Sequence, residues 1–126
     1  MSTKIDKLLS QAFECVEDGY FDDALGLYDL VLKDDPNNID ALIDKGVTLQ
    51  NMGKLNMAIT LYDKVLFLSP NNIDALINKG ASLHSDKKYS DAIACYDVVL
   101  KIDKKSLMAL AYKGLSLGEL GELEDA

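Results

Sequence analysis

The chain has 126 residues, of which 48% are hydrophobic and 27% charged, close to the average for globular proteins and enough to bury the core of one domain. The net charge is −8 and all thirteen basic residues are lysine, which argues against nucleic-acid binding, because that function usually needs a basic patch and arginine forks. No apolar run approaches the about 18 residues of a membrane span, and no signal peptide is recognisable, so we expect a cytoplasmic location without membrane contact.

Two helices are predicted at the start of the chain, over residues 5–18 and 22–34, because their apolar residues recur at helical spacing. Gly19 ends the first helix, since glycine adopts the left-handed conformation at low cost. Pro36 stops the second helix, because proline cannot donate the backbone hydrogen bond. Asn37 and Asn38 then supply a side-chain cap for a third helix.

The segment PNNIDALIDKG at residues 36–46 returns as PNNIDALINKG at residues 70–80, an offset of 34 residues. Small, aromatic and β-branched residues keep the same step: Ala24, Ala58, Ala92 and Ala126; Tyr28, Tyr62 and Tyr96; Val31, Val65 and Val99; Gly46, Gly80 and Gly114. A fixed period of this length indicates a repeat architecture. We therefore divide a single domain, residues 1–126, into repeats 5–38, 39–72 and 73–106 and a partial repeat 107–126.

The later repeats are predicted to copy the first one. Their helices are expected over residues 38–52, 55–68, 72–86, 89–102 and 106–119. Gly53 and the Lys87–Lys88 pair mark tight turns, whereas Lys104 stands where a proline is expected, which makes the third junction the weakest boundary. Only the five residues ELEDA remain for the second helix of the fourth repeat.

Small residues explain how two antiparallel helices close on each other. Gly46 and its equivalents lie in the first helix of each pair, and the alanines at the step of Ala58 lie in the second. A glycine within a helix costs about 1 kcal/mol relative to alanine, so its recurrence indicates a packing role. The tyrosines, one turn beyond the alanines, can fill the gap between pairs. Cys15 and Cys95 fall in repeats too far apart for a disulfide and are read as reduced.

These residues resemble the tetratricopeptide repeat, with a 34-residue helix–turn–helix unit punctuated by small, apolar, aromatic and proline residues. The resemblance covers residues 5–126 and is carried in the second repeat by Leu42, Gly46, Leu49, Ala58, Tyr62 and Pro70. It implies an all-α fold, a right-handed α–α superhelix of antiparallel helix pairs whose first helices line a concave groove. It also implies protein or peptide binding, with no chemistry and no cofactor.

On a helical wheel, the groove side of the first helices forms an apolar strip with acidic residues along it. The predicted groove residues are Asp6, Leu9, Phe13, Asp40, Ile43, Asp44, Val47, Gln50, Asp74, Ile77, Asn78, Ala81, His84, Tyr112 and Leu115.

Several of these residues have a structural interpretation as well. Asp6, Asp40 and Asp74 lie near helix N-termini, where a carboxylate favours the helix dipole. Leu9, Ile43 and Ile77 can pack against a neighbouring first helix or face a ligand. Phe13 is either an anchor for a partner or a plug for the start of the chain. His84, the only histidine, lacks ligands at metal spacing and is expected to be a solvated groove residue.

The favoured function is a non-catalytic protein–protein interaction scaffold that binds a peptide or helix of a partner protein. An enzyme lacks support, because no nucleophile–base pair, phosphate loop or metal cluster is found. The alternative is a regulatory or oligomerisation arm of a longer multi-repeat chain. The apolar and acidic groove predicts a partner that is apolar with basic residues.

One ligand class can be compared through the resemblance. Chaperone adaptors of this family hold a partner's C-terminal carboxylates with lysine, arginine and asparagine. The matching positions in this chain are Leu9, Phe13, Asp44, Asp74 and Asn78. Only Asn78 suits that role, so we expect acidic C-terminal peptides not to bind.

The C-terminal repeat leaves an apolar helix face without a second helix. Leu110, Gly114 and Leu117 are expected to be uncovered, because five residues cannot form a stable helix. Arrays of this type end in a polar cap. The sequence therefore predicts a fragment of a longer array or self-association through residues 106–126.

Overall fold

The computed structural model describes residues 3–125, with side chains through residue 122. These residues form seven helices joined by short turns, and no strand. The helices are α1 (Lys4–Glu17), α2 (Phe21–Asp34), α3 (Ile39–Asn51), α4 (Leu55–Leu68), α5 (Ile73–Ser85), α6 (Tyr89–Ile102) and α7 (Leu107–Asp125). The first six agree with their predicted bounds to within one residue. None of the described helices is both long and apolar enough to cross a membrane.

The turns and caps follow the predicted chemistry. The Oδ1 atoms of Asn38 and Asn72 accept hydrogen bonds from the backbone N–H groups of the third residue into α3 and α5, each at 2.9 Å. Gly19 and Gly53 take φ values of 82° and 80° between the two helices of their pairs. Lys87 takes φ 62° at the same step in the third repeat, a conformation that costs a residue with a Cβ more than glycine.

The third junction keeps the geometry of the other two although it lacks proline. The Ser106 N–H donates to the Asp103 carbonyl at 3.2 Å, as Asn38 does to Asp35 at 3.1 Å in the first junction. The Asp103 side chain accepts from the Lys105 N–H at 3.1 Å. An aspartate-based turn therefore replaces the proline, since aspartate oxygens bond readily to nearby backbone N–H groups.

The second and third antiparallel pairs close on a contact between glycine and tyrosine. A Cβ built on Gly46 would lie 2.5 Å from Cε1 of Tyr62, and one on Gly80 would meet the ring of Tyr96 in the same way. Leu49 and Ala58 are buried in the cluster that holds Tyr62. Because these distances are far below van der Waals contact, a residue with a Cβ at Gly46 or Gly80 would require the tyrosine ring to shift.

Successive pairs are joined by contacts that repeat at the same step. Lys45 Nζ lies 2.7 Å from Asp29 Oδ1, and the equivalent pairs Lys79–Asp63 and Lys113–Asp97 are each 2.6 Å apart. Each pair links the second helix of one repeat to the first helix of the next repeat. Next to these ion pairs, fully buried alanines at the step of Ala41 allow the two helices to approach. This ladder was not predicted from the sequence.

The end of the chain differs from the prediction. Helix α7 continues to Asp125 instead of ending near residue 119 and turning into a second helix. Gly121, which stands at the step of Gly19 and Gly53, lies within this helix. In the earlier repeats the turn is followed by a packed helix of 14 residues. The five residues after Gly121 are too few to form a second helix whose packing would offset the hydrogen bonds lost by breaking α7.

Both cysteines are free thiols, as predicted. Cys95 is buried in the core cluster with Leu76, and Cys15 is partly buried beside Ala12. Burial raises the pKa of the Cys95 thiol, and the nearby charges of Asp63 and Asp91 raise it further against the opposing effect of Lys79. A thiol with a raised pKa is a poor nucleophile, which agrees with a packing role.

We expect Gly46→Ala and Gly114→Ala to act in opposite directions on stability. The added methyl at residue 46 collides with the buried ring of Tyr62, so the free energy of unfolding should fall by about 1–3 kcal/mol. At Gly114 no atom lies within 4 Å of the new Cβ, so the gain in helix propensity should raise stability by up to about 1 kcal/mol. Urea titration of both variants measures this, and equal effects would show that the tyrosine contact does not constrain the pair.

Candidate functional site

The first helices of the repeats, α1, α3, α5 and α7, line one side of the array, and their surface is divided into clefts. The first cleft encloses about 180 Å³. It is lined by Phe13, Val16, Tyr28, Asp44, Val47 and Thr48. The ring of Tyr28 comes from the second helix of the first repeat and forms the floor, while α1 and α3 supply the walls. The cleft therefore needs two consecutive repeats.

A second cleft of about 180 Å³ lies two repeats further along the same side. Its lining residues are Ala81, His84, Ser85, Tyr96, Tyr112 and Leu115. Five of them stand at the repeat positions of Phe13, Val16, Tyr28, Asp44 and Val47 in the first cleft. The two clefts are thus the same structural feature generated twice by the repeat, on the side where the groove was predicted.

The repeat positions that line the two clefts are more polar in the step between them. The residues at these positions are Val47, Gln50, Tyr62, Asn78 and Ala81. The Tyr62 hydroxyl donates to Gln50 Oε1 at 2.9 Å, and Asn78 Nδ2 donates to the Asp74 carbonyl at 2.9 Å. This middle step presents amide groups, whereas the clefts on either side are mainly apolar.

The floor of the groove is constant and its walls vary. A tyrosine lies at every step, and burial raises the pKa of Tyr96 to about 12, so its hydroxyl stays protonated. In successive repeats the position of Asp44 is occupied by Asn78 and then by Tyr112, and the position of Val16 by Gln50 and then by His84. A ligand would therefore meet a carboxylate, an amide and an aromatic ring in this order.

Negative charge is concentrated at the first cleft. Desolvation by burial raises the pKa of the Asp44 carboxyl, and the charges of Asp40 and Asp74 raise it further. Those two side chains are exposed in the first turns of α3 and α5. No described salt bridge includes any of the three aspartates. The three carboxylates therefore form an electrostatically unfavourable group that a cation would relieve.

The exposed apolar residues of the groove share one repeat position. Phe13 and Leu115 expose 63% and 61% of their surfaces, and Val47 and Ala81 between them are partly buried. Ile77 was predicted to be part of this strip, but it is only 7% exposed and packs in the core beside Leu76. Ile43 is partly buried against Leu42. Of the two predicted roles, packing against neighbouring helices or facing a ligand, the contacts of both isoleucines support packing.

His84 is not the solvated residue that was predicted. Its Nδ1 lies 2.8 Å from the Oγ of Ser116, a fully buried residue on α7, and its ring packs edge-on against Tyr89 with centroids 5.0 Å apart. Sequence reasoning missed Ser116 as its partner, because the pair joins two repeats. Thr48, Ser82 and Ser116 recur at the repeat period, which is the signal that could have identified this buried position.

The remaining predicted residues lie near the ends of the groove. Asp6 forms a capping box with Thr3, with N–H donors at 3.0 and 3.2 Å, which supports its structural interpretation. Leu9 is partly buried against the Ala12 cluster. The tyrosine floor was missed as part of the groove, since the sequence assigned these rings only to packing between helices. Among the described residues, no three histidine, cysteine or acidic side chains converge as a metal site would require.

Solved structures share this arrangement of helices. The tetratricopeptide repeat domain of Sgt2 from Aspergillus fumigatus is 16% identical with a TM-score of 0.90, and the comparison covers 99% of this chain and 84% of that domain. The first such domain of Spaghetti (RPAP3), bound to the HSP90 peptide SRMEEVD, is 19% identical with a TM-score of 0.87 over 96% of both chains. MamA from Desulfovibrio magneticus RS-1 is 28% identical with a TM-score of 0.85, covering 98% of this chain and 70% of MamA.

Sequence comparison identifies the family. No curated protein sequence matches the chain significantly. The family model described as anaphase-promoting complex, cyclosome, subunit 3 matches residues 17–99, about two thirds of the chain. Together with the right-handed solenoid of antiparallel helix pairs shared with the solved domains, this match shows that the chain belongs to that family and is a tetratricopeptide repeat protein.

Proposed function

We propose that the chain is a non-catalytic interaction scaffold whose groove binds a peptide segment of a partner protein. An apolar side chain of the partner occupies the first cleft, and a neighbouring lysine or arginine pairs with Asp44. The observation that carries this proposal is the recurrence of the same tyrosine-floored cleft two repeats apart. Equivalent clefts in register suit a ligand that is itself a polymer with regularly spaced side chains.

The apolar contribution comes from the ends of the groove. Phe13 and Leu115 each leave more than half of their surface in water, at the walls of the two clefts. Burying such exposed apolar area against a partner contributes about 25 cal/mol per Å². Polar amides between the two clefts can bond to the backbone of the bound segment, which favours a peptide over a small apolar molecule.

The electrostatic contribution selects basic segments. The pKa of Asp44 is raised by its burial and by the charges of Asp40 and Asp74, so the free groove carries unfavourable repulsion. A lysine or arginine at this point would relieve the repulsion on binding. Complementary charge of this kind also speeds association and weakens with salt.

The similarity to solved domains supports the use of the groove but not the same ligand. The RPAP3 domain is bound to the HSP90 peptide SRMEEVD, which carries three acidic side chains. At 19% identity that likeness concerns the fold. The groove of this chain presents aspartates around its first cleft, where an acidic peptide would add to the repulsion.

Peptides selected from a random library on the native chain should combine an apolar residue with a nearby lysine or arginine. Asp44→Lys should then weaken a selected peptide by at least about tenfold, since it replaces attraction by repulsion within a few ångströms. Phe13→Ala should weaken the same peptide by removing an apolar wall. Fluorescence anisotropy at two salt concentrations measures both effects.

The matched control is Asp34→Lys, which makes the same charge change on the second helix of the first repeat, where Asp34 lies 3.5 Å from Lys4. It should leave the affinity nearly unchanged. If Asp34→Lys and Asp44→Lys weaken binding equally, net charge rather than the groove governs the interaction. Binding that survives Phe13→Ala and Asp44→Lys together would place the peptide elsewhere.

The acidic peptide SRMEEVD should not bind this chain. Leu9, Phe13, Asp44 and Asp74 stand where the resemblance requires basic or amide side chains, and the aspartates repel the C-terminal carboxylate. Titration calorimetry at low salt gives the most favourable conditions for detecting electrostatic binding. A micromolar dissociation constant would contradict the proposed selectivity.

Asp44→Asn should raise the free energy of unfolding at pH 7. Because the pKa of Asp44 is raised in the folded chain, its ionisation costs stability above that pKa, and the cost disappears as the pH falls towards the ordinary value of about 3.9. The gain should be within about 1 kcal/mol, since solvent screens this partly exposed group. Thermal melts of both proteins between pH 7 and 4 measure it, and identical melting temperatures at pH 7 would show that the repulsion is screened.

A further inference from the structure

The imidazole ring of His84 is held in one orientation at the wall of the second cleft. Its Nδ1 atom lies 2.8 Å from the Oγ atom of Ser116 on α7, and the ring packs edge-on against Tyr89 on α6. Three helices therefore fix this side chain, because α5 bears it and α6 and α7 each supply one contact. The ring is nevertheless only partly buried, and it lines the cleft together with Tyr112.

The hydroxyl of Ser116 decides which nitrogen of neutral His84 bears the hydrogen. Ser116 is fully buried, and its only described hydrogen-bond partner is Nδ1 of His84. At the same repeat position the Thr48 hydroxyl donates to the Asp44 carbonyl at 2.9 Å, but Ser116 has no such bond to the carbonyl of Tyr112 in the described part of the chain. Because buried hydroxyls donate where an acceptor is within reach, Ser116 donates to Nδ1, and the ring hydrogen is on Nε2.

The Nε2–H group of His84 is a free donor at the cleft. Nε2 has no hydrogen-bond partner among the residues that the structure describes. The one buried side-chain oxygen or nitrogen that lacks a partner there is Ser82 Oγ, so Nε2 is accessible rather than buried and unpaired. The rings of Tyr96 and Tyr112, with centroids 5.8 Å apart, form apolar walls in the same cleft. A ligand side chain in this cleft would meet one fixed donor among apolar surfaces.

We propose that His84 is a specificity-determining residue, whose Nε2–H group binds a carboxylate side chain of the segment that occupies the groove. This inference rests on the proposed function and extends it, because it assigns a second charged residue to the ligand. A carboxylate is the strongest acceptor that a peptide side chain offers, since hydrogen bonds to ionised groups are shorter and stronger than neutral ones. Ser116 is a positioning residue that acts through the imidazole ring.

The charges near the second cleft permit a carboxylate, unlike those near the first. The turn that follows α5 contains Asp86, Lys87 and Lys88, with a net charge of +1, and Lys88 Nζ lies 3.4 Å from Asp86 Oδ2. Glu119 on α7 stands at the repeat position of Ser85 and makes the surroundings neutral. A carboxylate therefore meets no net repulsion beside His84, whereas three aspartates surround the first cleft.

The separation of the two clefts sets the spacing of the ligand's charges. Neighbouring helices pack about 10 Å apart, so clefts two repeats apart are separated by about 20 Å. An extended chain covers this distance in about six residues. A lysine or arginine beside Asp44 and a glutamate or aspartate beside His84 are then about six residues apart. Because the two clefts differ in charge, a given segment satisfies both in one direction only.

Peptide selection tests this spacing. Two random libraries are selected on the full chain, one with a fixed leucine–lysine pair near the N-terminal end of every peptide and the other with the pair near the C-terminal end. Glutamate or aspartate should be enriched about six residues from the lysine, the distance between the clefts, in one library and not in the other. The enriched library gives the direction of the bound segment.

The role of His84 is measured with one enriched peptide and its variant in which glutamine replaces the acidic residue. In fluorescence anisotropy the native chain should bind the acidic form about tenfold more tightly. His84→Leu should abolish this preference, and Ser116→Ala should reduce it, because the ring is no longer fixed. The matched control is Gln11→Leu, since Gln11 is exposed at the repeat position of Lys45, on the side of α1 away from the clefts. It should retain the full preference.

Nuclear magnetic resonance tests the donor directly, because His84 is the only histidine of the chain. At mildly alkaline pH the ¹⁵N signals should show a protonated Nε2 and an unprotonated Nδ1. The Nε2 signal should move on addition of the acidic peptide and much less on addition of its glutamine variant. Circular dichroism verifies the fold of each variant. If His84→Leu does not fold, Ser116→Ala and these spectra test the same prediction.

The results separate this inference from the proposed function. A peptide that Asp44→Lys weakens, but that shows no acidic preference or a preference unchanged in His84→Leu, would overturn the role of His84 and leave the groove as the binding site. An unprotonated Nε2 in neutral His84, or a full preference in Ser116→Ala, would overturn the assigned donor. If Asp44→Lys has no effect on the selected peptides, the proposed function fails and this inference fails with it.

Discussion

A close contact between a small residue on one helix and a tyrosine ring on the next holds the first three helix pairs together, and the groove depends on it. Gly46 and Gly80 allow the rings of Tyr62 and Tyr96 to lie against the helix backbone. The first repeat uses Ala12 at this position and still buries Tyr28, so the ring adjusts to one methyl there. The same rings reach through the pair and form the floor of the groove.

A second set of contacts keeps the pairs in register. The ion pairs at the step of Lys45–Asp29 lie beside buried alanines, where the second helix of one repeat meets the first helix of the next. Partly exposed ion pairs contribute little to stability, but their repetition at each junction specifies which residues face each other. As a result, the clefts follow one another at a regular spacing, and only their walls differ between repeats.

The groove differs chemically from one end to the other, because two of its wall positions carry different residues in successive repeats. Asp44, Asn78 and Tyr112 occupy one repeat position, and Val16, Gln50 and His84 occupy another. Packing of the helix pairs does not require identity at these positions, and four of them, Val16, Asp44, His84 and Tyr112, line the two clefts. The face of α7 is the opposite case, since it retains the residues of a packing surface without a helix packed on it.

The period, the limits of six helices and an asparagine cap before α3 follow from the sequence alone, because these depend on local spacing, backbone conformation and neighbouring hydrogen bonds. The predicted apolar strip was Phe13, Val47, Ile77 and Leu115, and the structure removes Ile77 from it. Only the tertiary structure decided that Ile77 is buried while Phe13 is exposed, because burial depends on how far each first helix is rotated against its neighbours.

The ladder of Lys45 and Asp29, the bond between His84 and Ser116, and the use of tyrosine as a groove floor join residues from different helices. Their distances in sequence carry no signal without the relative orientation of the repeats. The continuous helix through Gly121 was not predicted either, since local propensity favours a turn at this glycine, as at Gly19 and Gly53. Whether a helix turns at a glycine also depends on what packs beside it, which belongs to the tertiary structure.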